Sequence, residues 1–382
     1  MNASMSSRFS RALLLACAAL ALAACSTRET KQALAKASQL ESQQQYEDAN
    51  DVLVDALRAR EAKIRAASPQ PTDTASIDAL TKKVQADSEI LKMERAQIPI
   101  YLHLDRSDLA SAVYSDIQAG HPGDRVLDDL LKEKDPALRT GAVRTLGLSG
   151  DPAALEALAR AAKDTDEDVR RAAVAAVGMI KDPKAVPLLI AALNDSYWFV
   201  RSDAADALGR EKDARAVAPL LDTVSDPDEN VQSAAENALI DLCAAPGVTA
   251  GQFASHLDDA NAKIVTISAV CLAVLKDPRA TPVLIKLANS PDADTRLHAV
   301  KGLGETGDPA VIPTLRKTLQ DSEVNVRGWS IIGLDKLKDQ GSVPQLRALA
   351  NDPNQTPHIR EFAQAAVNHL TGQTADAAPV GQ

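Results

Sequence analysis

The sequence predicts an all-α protein, a solenoid of short helical pairs stacked one on the next. Three observations predict it. A unit of about 31 residues recurs from Asp135 to Leu370, and a period of this length marks stacked supersecondary units. Aromatic residues make up 3% of the chain, too few to fill a sandwich or barrel core, while alanine and leucine dominate and suit helices that approach closely. Each unit also contains a turn signal that divides it into two helical stretches.

The chain opens with Arg8 and Arg11 and then an apolar run from Ala12 to Leu22. A run of about 11 residues is too short for a bilayer that needs roughly 20. It ends in Leu22-Ala23-Ala24-Cys25, which resembles the lipobox of bacterial lipoproteins: Leu, two small residues, then Cys. The resemblance implies a signal peptide over 1–24, cleavage before Cys25, and acylation of that thiol and of the new amine. The competing possibility is ordinary cleavage near Ala24 with Cys25 left free. Arg8 and Arg11 are not adjacent, so a twin-arginine signal is not indicated. Ser26 in place of Asp follows the familiar sorting rule for the outer membrane, facing the periplasm, with the inner membrane or the cell surface still open. Several acyl chains at about 0.8 kcal/mol per buried methylene make a stable anchor. No second apolar segment of near-spanning length occurs, so the lipid is the only membrane attachment expected. Loss of Arg8 and Arg11 takes the formal charge from −10 to −12, which argues against a nucleic-acid partner and against docking on anionic lipid.

Residues 25–130 form a separate helical region. Ala33, Ala37, Leu40, Tyr46, Ala49, Leu53, Ala56 and Leu57 fall at helical spacing and predict two helices over 30–62. A Pro-containing loop follows near 66–75, then one helix from about Ser76 to Arg95. Tyr46, Ala49, Ala56 and Leu57, and again Tyr101, Ala110, Tyr114 and Pro122, resemble tetratricopeptide units. A generic pair of helical hairpins fits nearly as well.

The repeats occupy 133–370. Each opens on a Val-Arg-like pair: Leu138-Arg139, Val169-Arg170, Val200-Arg201, Val231-Gln232, Ile264-Val265, Thr295-Arg296, Val326-Arg327 and Ile359-Arg360. The steps between pairs are uniform except two, Val231 to Ile264 and Val326 to Ile359, which each carry a two-residue insertion. Breaks such as Asp151-Pro152, Asp182-Pro183, Asp277-Pro278 and Asp308-Pro309 start the second helices, since Asp caps and Pro tolerates a first turn. Pro187, Pro219, Pro282, Pro313 and Pro344 fall early in those second helices. With the first residue of each pair numbered zero, position four is Ala or Ser, position seven is small (Thr145, Ala176, Ala207, Ala238, Cys271, Gly302, Gly333, Ala366) and position eight is Leu or Val. Positions zero, four, seven and eight share one face, and no unit can bury that face alone. Gly147, Gly178, Gly209 and Gly304 are expected to close first helices.

This pattern resembles the HEAT repeat in the short form also seen in phycobilisome-lyase-like proteins. The resemblance covers the whole stretch from Asp135 to Leu370 and implies a right-handed α-solenoid of about eight helical pairs preceded by the tetratricopeptide-like hairpins. It also implies a ladder in which an Arg of one unit pairs with an Asp of the next. Arg139, Arg170, Arg201, Arg296, Arg327 and Arg360 are the rungs, with Asp135, Asp166, Asp228, Asp292 and Glu323 as acidic candidates, each partly exposed pair worth about 0.5–1 kcal/mol. Gln232, Val265 and Ala245-Pro246-Gly247 depart from the pattern and predict a local change of curvature. Residues 371–382 read as a disordered tail.

Cys17 leaves with the signal, and Cys243 and Cys271 remain. An exported chain meets an oxidising compartment, yet the register argues against a disulfide. Helices pack ~8–10 Å apart, five residues add ~7.5 Å of rise, and a disulfide needs α-carbons within ~7 Å. His103, His121, His256, His298, His358 and His369 stand outside any His-Glu pair, HExxH or Cys-x-x-Cys-His string. No phosphate loop or nucleophile elbow occurs. No metal, cofactor or catalysis is expected.

Two surfaces are candidates for partner binding. Ile267, Val270, Leu297, His298, Trp329, Ile332 and Phe362 make an apolar strip on the outward side of the fifth to eighth first helices. Such strips mark interfaces when free, and a neighbouring segment covering the strip is the alternative. Tyr197, Trp198 and Phe199 form an aromatic cluster that either packs between units or contacts a ligand. The function expected is a lipid-anchored envelope scaffold whose partners are proteins. An accessory or lyase-type enzyme of the HEAT-like family and a glycan- or peptide-binding envelope module are the alternatives.

Overall fold

The computed structural model describes residues 28–68 and 74–372. The expected signal peptide, Cys25, the middle of the 66–75 loop and all but the first two residues of the 371–382 tail lie outside the described residues. Among the described residues every regular element is helical, and no helix is long and apolar enough to cross a membrane. The chain divides into two compact units at Ala185–Val186.

The first unit holds α1 (28–42), α2 (Tyr46–Ala66), α3 (Thr74–Gln85), α4 (Ser88–His103), α5 (Ser107–Gly120), α6 (Val126–Leu130), α7 (Pro136–Ser149), α8 (Leu155–Ala161) and α9 (Glu167–Val177). Ala37 of α1, Ala49 and Leu53 of α2, and Ile90, Met93 and Ile100 of α4 share one buried cluster. The two helices expected over 30–62 are therefore present as α1 and α2. The single helix expected from Ser76 to Arg95 is instead broken at Ala86–Asp87. The Asp87 carboxylate accepts the N–H groups of Glu89 and Ile90 at 3.0 and 3.2 Å and two bonds from Arg60 of α2 at 3.1 and 2.7 Å. An Asp held this way caps a new helix and ends the amphipathic run before it.

Glu94 of α4 carries a pH-dependent cost. Burial pushes its carboxyl from 4.5 up to about 7, and Asp116 and Glu61 add to the rise. A raised folded-state value means that ionising Glu94 opposes folding above pH 7. That opposition fades as pH falls toward 4.5. Glu94→Gln should therefore stabilise the protein at pH 8 by about 1 kcal/mol, a figure discounted for partial solvation. The gain should vanish near pH 4.5, as thermal unfolding at the two pH values will show.

The repeats begin in the first unit with first helices α7 and α9 around the second helix α8. They continue with α10 (Ala185–Ala192), α11 (Trp198–Glu211), α12 (Val217–Thr223), α13 (Glu229–Leu242), α14 (Gly251–Ala254), α15 (Ala262–Val274), α16 (Ala280–Leu287), α17 (Ala293–Thr306), α18 (Ile312–Thr318), α19 (Val324–Lys336), α20 (Val343–Asn351) and α21 (Pro357–Thr371). First helices carry odd numbers. The expected eight pairs resolve into seven pairs and a closing first helix, α21, which ends on Gly372 at φ 70°. Position four is fully buried throughout, and positions seven and eight are buried in every repeat. At position zero only Leu138 and Thr295 remain partly exposed.

The glycines do a different job from the one expected. Helix ends in the left-handed conformation fall to Gly150 (φ 64°), Lys212 (φ 53°), Lys276 (φ 59°), Gly307 (φ 72°) and Lys338 (φ 53°). Gly147, Gly209 and Gly304 lie inside α7, α11 and α17, at position nine. A β-carbon there would stand 2.8 Å from the Ala176 Cα, 2.9 Å from the Ala238 Cα and 3.0 Å from the Gly333 Cα. Each partner is position seven of the following repeat, so two missing or minimal side chains let adjacent backbones touch. Only Gly178, at the end of α9 with φ −67°, sits where a helix closes.

The step from the fourth repeat to the fifth is lengthened by two residues between Val231 and Ile264. α13 and α15 pair far more sparsely than the other first helices of the second unit. Lys263 in the first turn of α15 reaches Gln232 and Glu236 of α13. Cys243, the residue after that helix, then faces Cys271 with α-carbons 5.0 Å apart, and the two are disulfide-bonded. The expectation of free cysteines is corrected: evenly spaced parallel helices would have kept them apart, and the lengthened step between Val231 and Ile264 departs from that spacing.

Candidate partner-binding surfaces

The arginine ladder defines the frame in which any surface is displayed. In the first unit Arg139 donates from Nε and Nη2 to Asp164, both at 2.8 Å, and from Nη1 to the carbonyls of Glu133 and Lys134. In the second unit Arg201 grips Asp226 at 2.7 Å through both nitrogens, and Arg296 grips Asp321 at 2.8 and 3.0 Å. Arg170 and Arg327 use Nη1 in the same way, on the carbonyls of Asp164 and Thr165 and of Asp321 and Ser322. Gln232 keeps that role on the Asp226 carbonyl.

The ladder differs from expectation in two ways. Its carboxylates stand two residues earlier than Asp166, Asp228 and Glu323. Asp135, Asp166, Asp228 and Asp292 instead accept first-turn N–H groups of their own helices, and Glu323 makes no such bond. The pairs are also mostly buried: side-chain exposures are 11% and 15% for Arg139–Asp164, 12% and 8% for Arg201–Asp226, and 14% and 10% for Arg296–Asp321. The Arg139 bond holds the Asp164 carboxyl below the usual range. Burial opposes the same shift at Asp226 and Asp321, but the arginine and a backbone N–H outweigh it.

The apolar strip is shorter than expected. Ile267 and Val270 are buried, at 1% and 5% exposure. Position seven of the next repeat is Gly302, and a β-carbon there would come within 3.3 Å of Val270, so the missing side chain admits it. Leu297, His298, Trp329, Ile332 and Phe362 are half-buried. Lys301 Nζ sits 5.0 Å from the centre of the Trp329 ring, a cation–π contact. Phe362 packs on His358 at 4.0 Å and comes near Gly328 of α19. Of the aromatic cluster, Trp198 stacks on Phe199 at 3.5 Å and Tyr197 lies 5.5 Å from the same ring; all three are half-buried.

A site that sequence reasoning missed lies at the last rung. Asp352 stands as far along the chain from Arg327 as Asp321 does from Arg296, yet no ion pair joins them among the described residues. The Asp352 carboxylate accepts the Asn354 N–H at 2.9 Å and the Gln355 amide at 3.1 Å. The cause is the lengthened step from Val326 to Ile359. Its two extra residues fall between Asp352 and the start of α21, which opens five residues after Asp352 where α19 opens three after Asp321. A cavity of about 470 Å³ opens at this rung between α18, α19, α20 and the Asp352–Gln355 loop. Arg327 Nε and Gln355 Oε1 both belong to residues lining it, and both atoms are buried without a hydrogen-bond partner. The irregular spacing was visible in the sequence and was the signal available. Arg360 Nε is likewise unpartnered, with no following repeat described to supply a carboxylate. The described residues contain no group of three or more His, Cys, Asp or Glu able to hold a metal.

Residues 124–178, 159–240 and 252–330 match the family model for HEAT repeats, together about half of the chain. No curated protein sequence matches. Among solved structures, Kap95 in its complex with Nup1 is 14% identical with a TM-score of 0.58, over 88% of this chain and 51% of that one. The chain thus spans about half the length of Kap95, and the likeness is one of fold. CpcE and CpcF of phycocyanin lyase from Nostoc sp. give 21% identity and a TM-score of 0.34, over 65% of this chain and 94% of that one. Human deoxyhypusine hydroxylase gives 21% identity and a TM-score of 0.31, over 65% and 96%. Neither speaks to chemistry at these values. With the family model spanning half its length, the chain belongs to the HEAT-repeat proteins, and its fold is an α-solenoid.

Proposed function

We propose that this protein is a lipid-anchored scaffold of the bacterial cell envelope that binds other proteins through its repeat surfaces and catalyses no reaction. HEAT-repeat solenoids generally bind protein partners. The observation that carries the envelope assignment is the Cys243–Cys271 disulfide. Structural disulfides persist in exported proteins and are rare in the reducing cytosol. The lipobox-like Leu22-Ala23-Ala24-Cys25 supports the same compartment from the other end of the chain, and the acidic surface disfavours nucleic acid.

Trp329 is the favoured anchor for a partner, with Trp198 second, because large half-buried aromatics contribute most per residue at interfaces. Crosslinking in intact cells tests this. The wild type should capture a small, reproducible set of envelope proteins. Trp329→Ala or Trp198→Ala should reduce capture about tenfold, the effect of losing an anchor worth about 1.4 kcal/mol. Undiminished capture by both variants would remove both surfaces, and no specific capture by the wild type would remove the scaffold role. The cavity at the last rung favours a second reading, peptide binding, within the same protein-binding role.

A further inference from the structure

We infer that the open rung at Arg327 is a binding pocket for a peptide carboxylate. The inference rests on the protein-binding role proposed above and specifies its chemistry. In each closed rung one guanidinium edge, Nε with Nη2, grips a carboxylate by two parallel bonds. That edge matches the geometry of a carboxylate. Arg327 keeps the other half of the arrangement, with Nη1 fixed on the Asp321 and Ser322 carbonyls at 2.7 and 3.0 Å. Its guanidinium is therefore anchored like that of Arg296, but Nε is buried with nothing to donate to. The carboxylate that the repeat pattern would place there, Asp352, is committed to Asn354 and Gln355.

The second orphan atom narrows the ligand. The Gln355 amide nitrogen is tied to Asp352, which leaves Oε1 as a buried acceptor without a donor. A carboxylate for Arg327 and an N–H for Gln355 are what a peptide offers, either at its C-terminus or at an acidic residue beside its own amide. Leu319, Ala348 and Leu349 give the cavity an apolar wall for a neighbouring side chain. Its volume of about 470 Å³ suits one or two residues. Inorganic phosphate would meet Arg327 but bring no donor for Gln355 at its full charge. A cation would meet Arg316 and Arg327. Asp321 and Arg316 are already satisfied, by Arg296 and Asp339, which leaves Arg327 as the cation of the cavity outside an ion pair.

The test is fluorescence anisotropy with the full chain and three peptides labelled at the N-terminus. They are Ala-Ala-Leu-Leu with a free carboxylate, its C-terminal amide, and the amide of Ala-Asp-Leu-Leu. One of the two acids should bind at least about tenfold more tightly than the neutral amide, the difference a bidentate arginine pair makes. Which one binds separates the C-terminal from the side-chain source. Arg327→Gln and Gln355→Leu should each weaken binding by about tenfold. The second variant touches no rung of the ladder, so it stands if the first disturbs the fold. Equal binding of acid and amide, binding unchanged in both variants, displacement by inorganic phosphate as readily as by peptide, or no binding at about 1 mM would each overturn the inference. Capture of envelope proteins in cells that persists unchanged in both variants would confine that failure to this pocket and leave the scaffold role intact. Loss of specific capture by the wild type would sink both.

Discussion

Replacing Cys243 and Cys271 together with alanine should lower the unfolding free energy of the second unit by about 3–4 kcal/mol, the chain-entropy contribution of a cross-link closing a loop of this size. The bond joins residues 28 apart in sequence, across the junction of α13 and α15 where first-helix pairing in the second unit is sparsest. Removing it should therefore do more than shift a midpoint. The stack should lose cooperativity at that junction, because repeat arrays are held by nearest-neighbour interfaces. Urea unfolding of the oxidised, the reduced and the double-alanine protein will show it. Oxidised protein should unfold at higher urea, and reduced protein should coincide with the double variant. Coincidence of all three would mean that the bond contributes nothing.

Arg296→Ala should cost about 3–5 kcal/mol, because it strands the Asp321 carboxylate in a largely dehydrated position. Arg201→Ala should do the same to Asp226. Arg327→Ala, by contrast, breaks only two bonds to carbonyls and should cost about 1 kcal/mol. The comparison within one ladder separates a closed rung from an open one without reference to any ligand. The closed-rung penalty also depends on pH with a defined sign. The Asp321 carboxyl is held below its ordinary 3.8 in the folded chain, burial opposing and Arg296 with the Glu323 N–H prevailing. Its contribution is present above pH 3.8 and is lost as pH falls through the depressed folded value. The gap between wild type and Arg296→Ala should be full at pH 7 and shrink below pH 4. A gap independent of pH would mean that the pair is not ionic in effect.

The repeat register was legible because it is a single-helix property. Val169, Ala173, Ala176 and Val177 declare their common face through the 3.6-residue period, whatever they pack against. What escaped was decided between helices. Gly209 reads equally well as a helix terminator and as a point of backbone contact, and only the position of Ala238 distinguishes the two. The ladder carboxylate and the helix cap lie two residues apart in Asp164-Thr165-Asp166 and Asp226-Pro227-Asp228, so the acid that pairs cannot be told from the acid that caps. Val270 looked outward on a helical wheel, yet Gly302 on a neighbouring helix has no side chain to keep it out. Cys243 and Cys271, which uniform spacing would have kept apart, meet where the step between repeats is lengthened. Residues 86–87 broke a helix because Arg60, from another helix, fixes Asp87. The disulfide and the open rung did leave a sequence trace, the two-residue insertions ahead of Ile264 and Ile359.

The proposed tether at Cys25 is what places the scaffold at a membrane. The intact mass of the protein purified from membranes is the direct measurement. A chain beginning at Cys25, heavier than its amino-acid mass by a diacylglyceryl and an N-acyl group and released to the soluble fraction by Cys25→Ala, is the expected result. An unmodified mature chain recovered in the soluble fraction would contradict the anchored scaffold.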